Sequence, residues 1–417
     1  MNVQNWMKSL ENNALYDSFA PLYGEVPAQR LQLLLNTFAE AFGEEGDLSF
    51  FSAPGRVELC GNHTDHQGGC VVALAVDLDV LGVVRKRDDS IVRLHSVGLE
   101  PCHVDLQGEM PPKGTSQAII YGVAKALEAK GHIVGGFDCV THSSVPVGSG
   151  LSSSAAFENF VATVFSGLFN ETPIDPVEKA MAGQMAENEY FGKPCGLMDQ
   201  MASCLGNVSF IDFKDAKNPV YQTVSMPIED LGYTMCVVKT GGSHADLTHL
   251  YAAIPAEMKA VAACFGKQVL SQLDKETIVN HISYLRVQVG DRAVLRSLNY
   301  YDETNRAEQI CQHLQQGNLQ EVLKLVEQSG NGSQCWLQNV SNSADTTFDG
   351  VGMALYCSKN ICPNGFFRVH GGGFGGTMLG FVPTESFAEY KIQIEEVFGK
   401  DSCVPLKIRT IGGTKIQ

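Results

Sequence analysis

The chain has 417 residues, with 30 Lys and Arg against 46 Asp and Glu, so its formal net charge is −16. This excess of negative charge argues against nucleic acid or an anionic membrane as the main partner, but it does not exclude a local positive site for a phosphorylated ligand. The 13 cysteines include no C-x-x-C pair, which argues against zinc-ribbon and thioredoxin-like motifs, and a disulfide framework is not expected at this length.

Membrane-spanning and secretory signals are not found in the sequence. The longest apolar candidate, residues 70–84, is interrupted by Asp77 and Asp79 and is shorter than the ~18 apolar residues of a membrane span. Residues 1–38 contain no apolar run followed by a small-residue cleavage site. We therefore expect a soluble, reduced, cytoplasmic protein.

The first half of the chain carries both helical and strand patterns. Helical spacing of apolar residues, with Asp175 and Gly131 as caps, predicts helices over residues 31–42, 117–129, 152–168 and 176–190. Apolar β runs predict strands over residues 48–59, 70–84, 90–97, 137–142 and 207–213.

A polar stretch at residues 215–218 marks a predicted domain boundary. Beyond it, the patterns predict strands at residues 233–238, 366–369, 378–382 and 404–409, and helices ending near 261, between 305 and 328, and over 385–398. Because strands and helices do not alternate regularly, we expect an α+β protein of two domains, residues 1–215 and 216–417.

A glycine- and serine-rich segment precedes the predicted helix at 152–168. Residues 146–158 read P-V-G-S-G-L-S-S-S-A-A-F-E, and a helix start with free N–H groups favours an anion such as phosphate. The hydroxyls of Ser152, Ser153 and Ser154 could cap the helix, contact phosphate oxygens or reach Mg²⁺. The segment is not a Walker A loop, and a hydrolase elbow would need glycine at 154. A serine-rich helix cap without a ligand is the structural alternative.

A second glycine cluster, residues 371–376, matches G-x-G-x-x-G, but the residues after it have a strand pattern. A dinucleotide-binding fingerprint requires a helix at that point. A glycine-rich hairpin, packed closely on another backbone or over a phosphate, is the better interpretation, and a purely structural hairpin is the alternative.

Two further segments concentrate polar side chains. Residues 53–69 place Arg56 after a Pro-Gly turn and His63, Asp65 and His66 between two strands, a set suited to sugar hydroxyls. A metal site or a plain polar turn would also account for these residues. Residues 184–200 place Glu187 late on a helix and Asp199 among small apolar residues, where it is either a helix cap or a functional acid.

Together the four segments resemble the GHMP small-molecule kinases, and within them the galactokinases, in order and approximate spacing over nearly the whole chain. Residues 148–155 look like the family's ATP-binding motif, and residues 368–376 resemble its C-terminal glycine motif. Pro54-Gly55-Arg56-Val57, with Gly61, His63-Thr64-Asp65 and Gly68, is similar to the galactokinase sugar signature. Residues 195–200 resemble the segment that carries the catalytic aspartate.

This resemblance implies a two-domain GHMP-kinase fold with mixed sheets and an active site in the cleft between the domains. It implies ATP and Mg²⁺ as cofactors and phosphorylation of the anomeric hydroxyl of galactose, giving galactose 1-phosphate and ADP. The expected partners are a small-molecule sugar and ATP, with no nucleic acid and no membrane, and the expected state is a monomer or weak oligomer.

The resemblance also assigns roles to residues of this chain. Asp199 would be the base or orienting carboxylate, and Arg56 would keep it ionised and neutralise charge on the phosphate. Ser154 and Glu187 would contact Mg²⁺. The nucleotide would be held by Gly148, Ser149, Gly150, Leu151, Ser152, Ser153, Ser154 and Ala155. The sugar would be lined by Asn62, His63, Asp65, Gly196 and Tyr251.

The chain departs from the galactokinase pattern at four positions. Galactokinases usually carry asparagine, glutamate and tyrosine where this chain has Glu58, Asn62 and His66, and threonine where it has His370. The glutamate replaced by Asn62 normally contacts the C6 hydroxyl of the sugar. A neutral amide at 62 would not repel a C6 carboxylate, so the identity of the acceptor is open.

Two alternative functions therefore remain. One is a related sugar 1-kinase acting on galacturonate, N-acetylgalactosamine or a pentose. The other is a non-catalytic galactose sensor that binds sugar and ATP and contacts a transcription factor. Known sensors of that kind have lost part of the serine-alanine loop, whereas residues 152–155 are intact here.

Overall fold

The computed structural model describes residues 1–146, 150–241, 247–341 and 347–416. In these ranges the α-helices are α1 Val3–Glu11, α2 Tyr16–Tyr23, α3 Ala28–Phe42, α4 Ser116–Ala129, α5 Ser153–Phe169, α6 Pro176–Met185, α7 Met198–Leu205, α8 Thr248–Ala263, α9 Lys275–Asn280, α10 Ile282–Gln288, α11 Asp291–Gln315, α12 Leu319–Gly332, α13 Gly350–Ile361 and α14 Phe387–Phe398. Among the described helices, none has both the length and the apolar character that crossing a membrane requires.

The larger of two sheets has eight strands in mixed orientation. Its strands are β1 Leu48–Cys60, β2 Cys70–Lys86, β3 Ile91–Ser96, β4 Cys102–Asp105, β5 Phe137–Ser143, β6 Val208–Asp212, β7 Val220–Val224 and β12 Thr414–Ile416. The main path runs β12-β1-β2-β5-β3-β4, and β6 pairs with β2 and with β7. The β3–β5 pair is parallel and the others are antiparallel.

Both faces of this sheet are buried, because successive side chains of a strand point to opposite faces. On β1, Phe51 belongs to the core under helices α4–α6, whereas its neighbour Phe50 packs with Trp6 and Phe19 of the N-terminal helices. The sheet is therefore the middle layer of the N-terminal part of the protein, and its strands are apolar on both sides as doubly covered strands must be.

The smaller sheet is antiparallel and has four strands in the order β11-β8-β10-β9. Its strands are β8 Tyr233–Gly241, β9 Phe366–His370, β10 Gly376–Pro383 and β11 Cys403–Leu406. Helices α13 and α14 cover one face, where Val238 and Met378 pack with Tyr390 and Ile394. Helix α12 packs against β9, and α11 crosses to β2 of the larger sheet.

The sheets do not divide the chain at a single point. Strand β7, which follows residue 215, pairs with β6, and β12 pairs with β1 through Phe50–Ile416 and Ser52–Thr414. The two-domain division at 215/216 stays a prediction, and pairing in the larger sheet crosses it twice.

The mixed α/β class and most predicted elements agree with the structure, with local differences. The helix predicted over residues 176–190 is α-helical only to Met185 and then widens into a π-helix over Ala186–Phe191. Single-turn π segments are common near functional sites, and this one carries Glu187.

Candidate active site

Arg56 and Asp199, 143 positions apart in the sequence, form a bidentate ion pair. The Nε and Nη2 atoms of Arg56 each donate to a different carboxylate oxygen of Asp199 at 2.7 Å. Arg56 lies on β1 beside an irregularity in its pairing with β2, and Asp199 is the second residue of α7. The guanidinium is 6% exposed and the carboxylate 29% exposed, so the open side of the pair is the acid.

The described part of the glycine- and serine-rich segment closes around this pair. The Ser152 hydroxyl donates to Asp199, and Arg56 Nη1 donates to the carbonyl oxygen of Gly150. Partial burial raises the pKa of Asp199, but the charge and hydrogen bonds of Arg56, then Ser152 and Lys193, outweigh it, so the net pKa lies below its ordinary value. Asp199 is therefore ionised at neutral pH.

Gly150 is required at its position by both backbone and space. Its φ is +72°, and a β-carbon there would lie 2.5 Å from Thr377 Oγ1 on β10. The turn therefore packs directly against the smaller sheet. Gly148 and Ser149, two of the predicted nucleotide contacts, lie outside the described residues.

The remaining predicted nucleotide contacts form the start of α5. Leu151 and Ala155 are buried, Ser153 is half-buried and Ser154 is exposed. Ser152 precedes the helix with φ +55°. Its side chain does not cap the helix, because its hydroxyl donates a hydrogen bond to Asp199. The first backbone N–H groups of this 17-residue helix therefore have no acceptor from Ser152. They can donate to an anion instead.

Two buried carboxyl groups share one amide donor: that of Glu158, one turn further along α5, and that of Glu187 on the π-helix. The Gln200 Nε2 atom donates to Glu158 Oε2 at 2.9 Å and to Glu187 Oε2 at 3.2 Å. Glu158 Oε1 and Gln200 Oε1 are buried, with no hydrogen-bond partner in the described part of the protein. Burial and the nearby Glu187 raise the pKa of Glu158 well above its ordinary value.

These oxygens fit Mg²⁺, which takes one or two carboxylates and completes its shell with water and phosphate. Within the described ranges, no group of three or more His, Cys, Asp or Glu could hold a metal by itself. Glu187, with Glu158 beside it, therefore suits a metal shared with phosphate rather than a fully protein-ligated ion. Ser154 is one helical turn before Glu158 on the same face of α5.

The predicted sugar residues Asp65 and Gly196 are in close contact. A β-carbon at 196 would lie 1.7 Å from Asp65 Oδ2, so only glycine fits there. The backbone N–H of Met198 points to the same Oδ2 atom at 3.5 Å. This contact places Asp65 next to the segment that carries Asp199.

Three other predicted sugar residues contact the glycine turn at 371–376. Asn62 Nδ2 donates to the carbonyl of Gly371 at 2.8 Å, His63 Nε2 lies 3.2 Å from that of Gly372, and Tyr251 donates to that of Gly373 at 3.0 Å. Since a carbonyl only accepts, His63 Nε2 carries the proton. The glycine turn is thus packed on the predicted sugar segment rather than standing free.

The side-chain amide of Asn62 makes its hydrogen bonds within the protein. Its second N–H donates to Glu58 Oε2 at 2.8 Å, and its oxygen accepts from Asn339. Asn62 is 2% exposed. Its predicted contact with a sugar stays a prediction, and in this arrangement neither of its N–H groups is free.

Glu58 and His370, two of the departures from the galactokinase pattern, both have hydrogen-bond partners in the structure. Glu58 Oε1 accepts from Arg368 at 3.0 Å, and its backbone N–H donates to His370 Nε2 at 3.3 Å. Burial raises the pKa of Glu58 although Arg368 opposes it, and burial with Arg56 lowers the pKa of His370 well below its ordinary value. His370 is therefore neutral, and its Nδ1–H faces Thr377 Oγ1 at 3.2 Å.

Glu158, Lys193 and Asn339 belong to this region but were not singled out from the sequence. Glu158 carried a usable signal, because it is an acid on an otherwise apolar helix, four residues after Ser154. Asn339 carried none, since its partner Asn62 is 277 positions away.

Two family models match the chain. Residues 118–207 match the GHMP kinases N-terminal domain, and residues 36–86 match the galactokinase galactose-binding signature. A galactokinase of Glaesserella parasuis is 28% identical over 89% of this chain and 94% of its own length. A galactokinase of Clostridium tetani is 29% identical over 88% of this chain and 92% of its own length.

Solved structures share the fold. A Lactococcus lactis galactokinase crystallised with galactose superposes with a TM-score of 0.77 at 24% identity, covering 92% of this chain and 99% of that one. Methanococcus jannaschii mevalonate kinase has a TM-score of 0.56 at 14% identity, covering 87% of this chain and 99% of that one. The two-sheet architecture is thus that of small-molecule kinases.

Proposed function

We propose that this chain, which matches the GHMP kinases N-terminal domain and the galactokinase galactose-binding signature, transfers the terminal phosphoryl group of ATP to the anomeric hydroxyl of galactose. The observation that carries this proposal is the contact of Arg56, Asp199 and Ser152. It places an ionised acid between a helix start suited to phosphate and the Asp65 segment suited to sugar hydroxyls.

Asp199 orients the attacking hydroxyl. Because its pKa is below the ordinary value, it is a weak base before reaction, so it accepts a hydrogen bond from the sugar hydroxyl and takes the proton late in the transfer. Phosphoryl transfer depends mainly on positioning and charge neutralisation, so a late proton transfer is sufficient.

The nucleotide phosphates bind at the start of α5, where the backbone N–H groups and the helix dipole favour negative charge. Glu187 would hold Mg²⁺, with Ser154 as the second predicted contact, and Gln200 links Glu187 to Glu158. When bound, Mg²⁺ neutralises phosphate charge and aligns the terminal phosphoryl group. Arg56 keeps Asp199 ionised and fixes its two oxygens.

His63, Asp65, Gly196 and Tyr251 line the sugar. Asp65 accepts hydrogen bonds from sugar hydroxyls. Gly196 permits the close approach of the Asp65 carboxylate because it has no β-carbon. The proposed partners are the sugar and ATP, and the proposed state is a monomer or weak oligomer.

A sugar with a C6 carboxylate is the second candidate acceptor. Its support is the chemistry at position 62: residue 62 is a neutral amide, and its partner Glu58 is 1% exposed and paired with Arg368. A carboxylated sugar would therefore meet no exposed acid at position 62.

A panel of acceptors tests both candidates. Release of ADP from MgATP is measured with galactose, galacturonate, N-acetylgalactosamine and arabinose at equal concentrations. The proposal expects the highest kcat/KM for galactose. A clear preference for another sugar contradicts galactose as the acceptor, and ATP and galactose binding without ADP release would indicate a sensor instead.

A further inference from the structure

Lys193 places a positive charge at the carboxyl group assigned to the metal. Its Nζ lies 3.1 Å from Glu187 Oε1. Its side chain is 59% exposed, whereas that of Glu187 is 5% exposed. The ammonium group therefore caps a buried acid from the open side of the site.

The turn that carries Lys193 is fixed by the same glutamate. The backbone N–H groups of Gly192 and Lys193 both donate to the carbonyl of Glu187, at 2.9 and 3.0 Å. Gly192 has φ +90° and Pro194 follows, so the backbone around Lys193 is constrained while its long side chain is 59% exposed. Burial raises the pKa of Asp199, and Arg56, then Ser152, then the Lys193 charge lower it, so Lys193 is within electrostatic reach of this carboxylate.

Arg56 is also a cation of the site, but its guanidinium is already bound within the protein and is not available to a phosphate. Its Nε, Nη1 and Nη2 atoms are all engaged, by Asp199 and by Gly150, and its side chain is 6% exposed. A transferring phosphoryl group needs positive charge on its outer oxygens. Lys193 offers such a charge here, since its side chain is 59% exposed.

We propose that Lys193 binds the terminal phosphate of the nucleotide, its ammonium group leaving the Glu187 carboxylate for the phosphate oxygens. This inference rests on the proposed function, because it requires ATP at the start of α5. A metal bound by Glu187 would displace the Lys193 ammonium group from this carboxylate. Lys193 and the metal would therefore compete for Glu187. A fixed ion pair, in which Lys193 only neutralises Glu187, is the alternative that the experiment must separate.

Nucleotide binding by the purified full-length protein, measured by calorimetry, tests the inference. AMP, ADP and a non-hydrolysable ATP analogue are titrated with Mg²⁺ and again with EDTA. The variants are Lys193→Met, which removes the charge at similar length, and Lys193→Arg, which keeps it. Lys324→Met is the matched control, since Lys324 is also an exposed lysine paired with a glutamate, Glu321, at 2.7 Å.

We expect Lys193→Met to weaken binding of the ATP analogue about tenfold with Mg²⁺, as for one lost hydrogen bond to a charged group, and less in EDTA, where Glu187 competes for the ammonium group. AMP binding should not change, Lys193→Arg should restore most of the loss, and Lys324→Met should bind like the wild type. Glu187→Gln should tighten binding of the analogue in EDTA, because the ammonium group is then free and one repelling charge is gone.

Equal losses for AMP and the ATP analogue, or no loss for either, overturn the inference. A lower Tm of Lys193→Met with unchanged affinities assigns Lys193 to the fixed ion pair and also overturns it. Wild-type protein that binds no adenine nucleotide overturns the proposed function, whereas normal wild-type binding that Lys193→Met leaves intact overturns only the role of Lys193.

Discussion

Gly196 and Asp65 are packed so closely that a β-carbon on residue 196 would lie 1.7 Å from the Asp65 carboxylate oxygen. Gly196→Ala must therefore displace Asp65 or the turn before α7. We expect the KM for the sugar to rise at least about tenfold, since misplaced contacts weaken binding and orientation. Affinity for ADP serves as the internal control, and a variant with normal sugar KM would show that Asp65 does not bind the sugar.

Asp199→Asn should remove nearly all turnover while nucleotide binding persists. The amide keeps the size of the side chain but loses the charge that Arg56 holds and the capacity to take a proton. We expect kcat to fall by about 10² to 10⁴, the usual contribution of a positioned acid–base group. Single-turnover ADP release and ADP calorimetry measure the two properties, and near-normal turnover would contradict the assigned role.

Exchanging the carboxyl and amide groups of Glu58 and Asn62 tests their pairing. Asn62→Asp alone places a second acid on Glu58 and removes the N–H bond to Gly371, and we expect it to lower the free energy of unfolding by about 2–5 kcal/mol. The isosteric double variant Glu58→Gln/Asn62→Asp should recover part of this loss, because an amide–carboxylate pair is restored. Urea denaturation measures these two variants and Glu58→Gln alone, and a double-variant effect equal to the sum of the two single effects would argue against coupling.

Stability should fall as the pH drops from about 6.5 to about 4. Burial, with His66 nearby, lowers the pKa of His63 to about 4, and the pKa of His370 is lowered in the same direction. The unfolded chain therefore binds protons in this range that the folded protein does not, so acid favours unfolding. For His63 the stability lost is at most about 3 kcal/mol.

His63→Gln checks this prediction. The variant should lose less stability than the wild type between pH 7 and pH 4 in chemical denaturation. His103→Gln is the control, because His103 is exposed on β4. Parallel pH profiles for His63→Gln and the wild type would show that His63 does not titrate with unfolding.

Short patterns predicted much of the core but little of its long-range pairing. Strand β2 could be recognised from its apolar run, and the Arg56–Asp199 contact followed from a family motif. The pairing of β12 with β1 could not be predicted, because three residues carry little pattern and their partners are more than 350 positions away. Glu58 and Asn62 were recognised only as departures from the family, since Arg368, the partner of Glu58, and Gly371, the partner of Asn62, lie about 310 positions away in the sequence.

Residues 58–63 are held by partners from the second half of the chain. Glu58 depends on Arg368, Asn62 and His63 on the carbonyls of the turn, and Gly61 N–H on Glu303 of α11 at 3.0 Å. Either half of the chain expressed by itself would leave these groups buried and unpaired or would expose them. The two halves therefore stabilise each other, and either half expressed alone should unfold at a lower temperature than the same half within the whole protein.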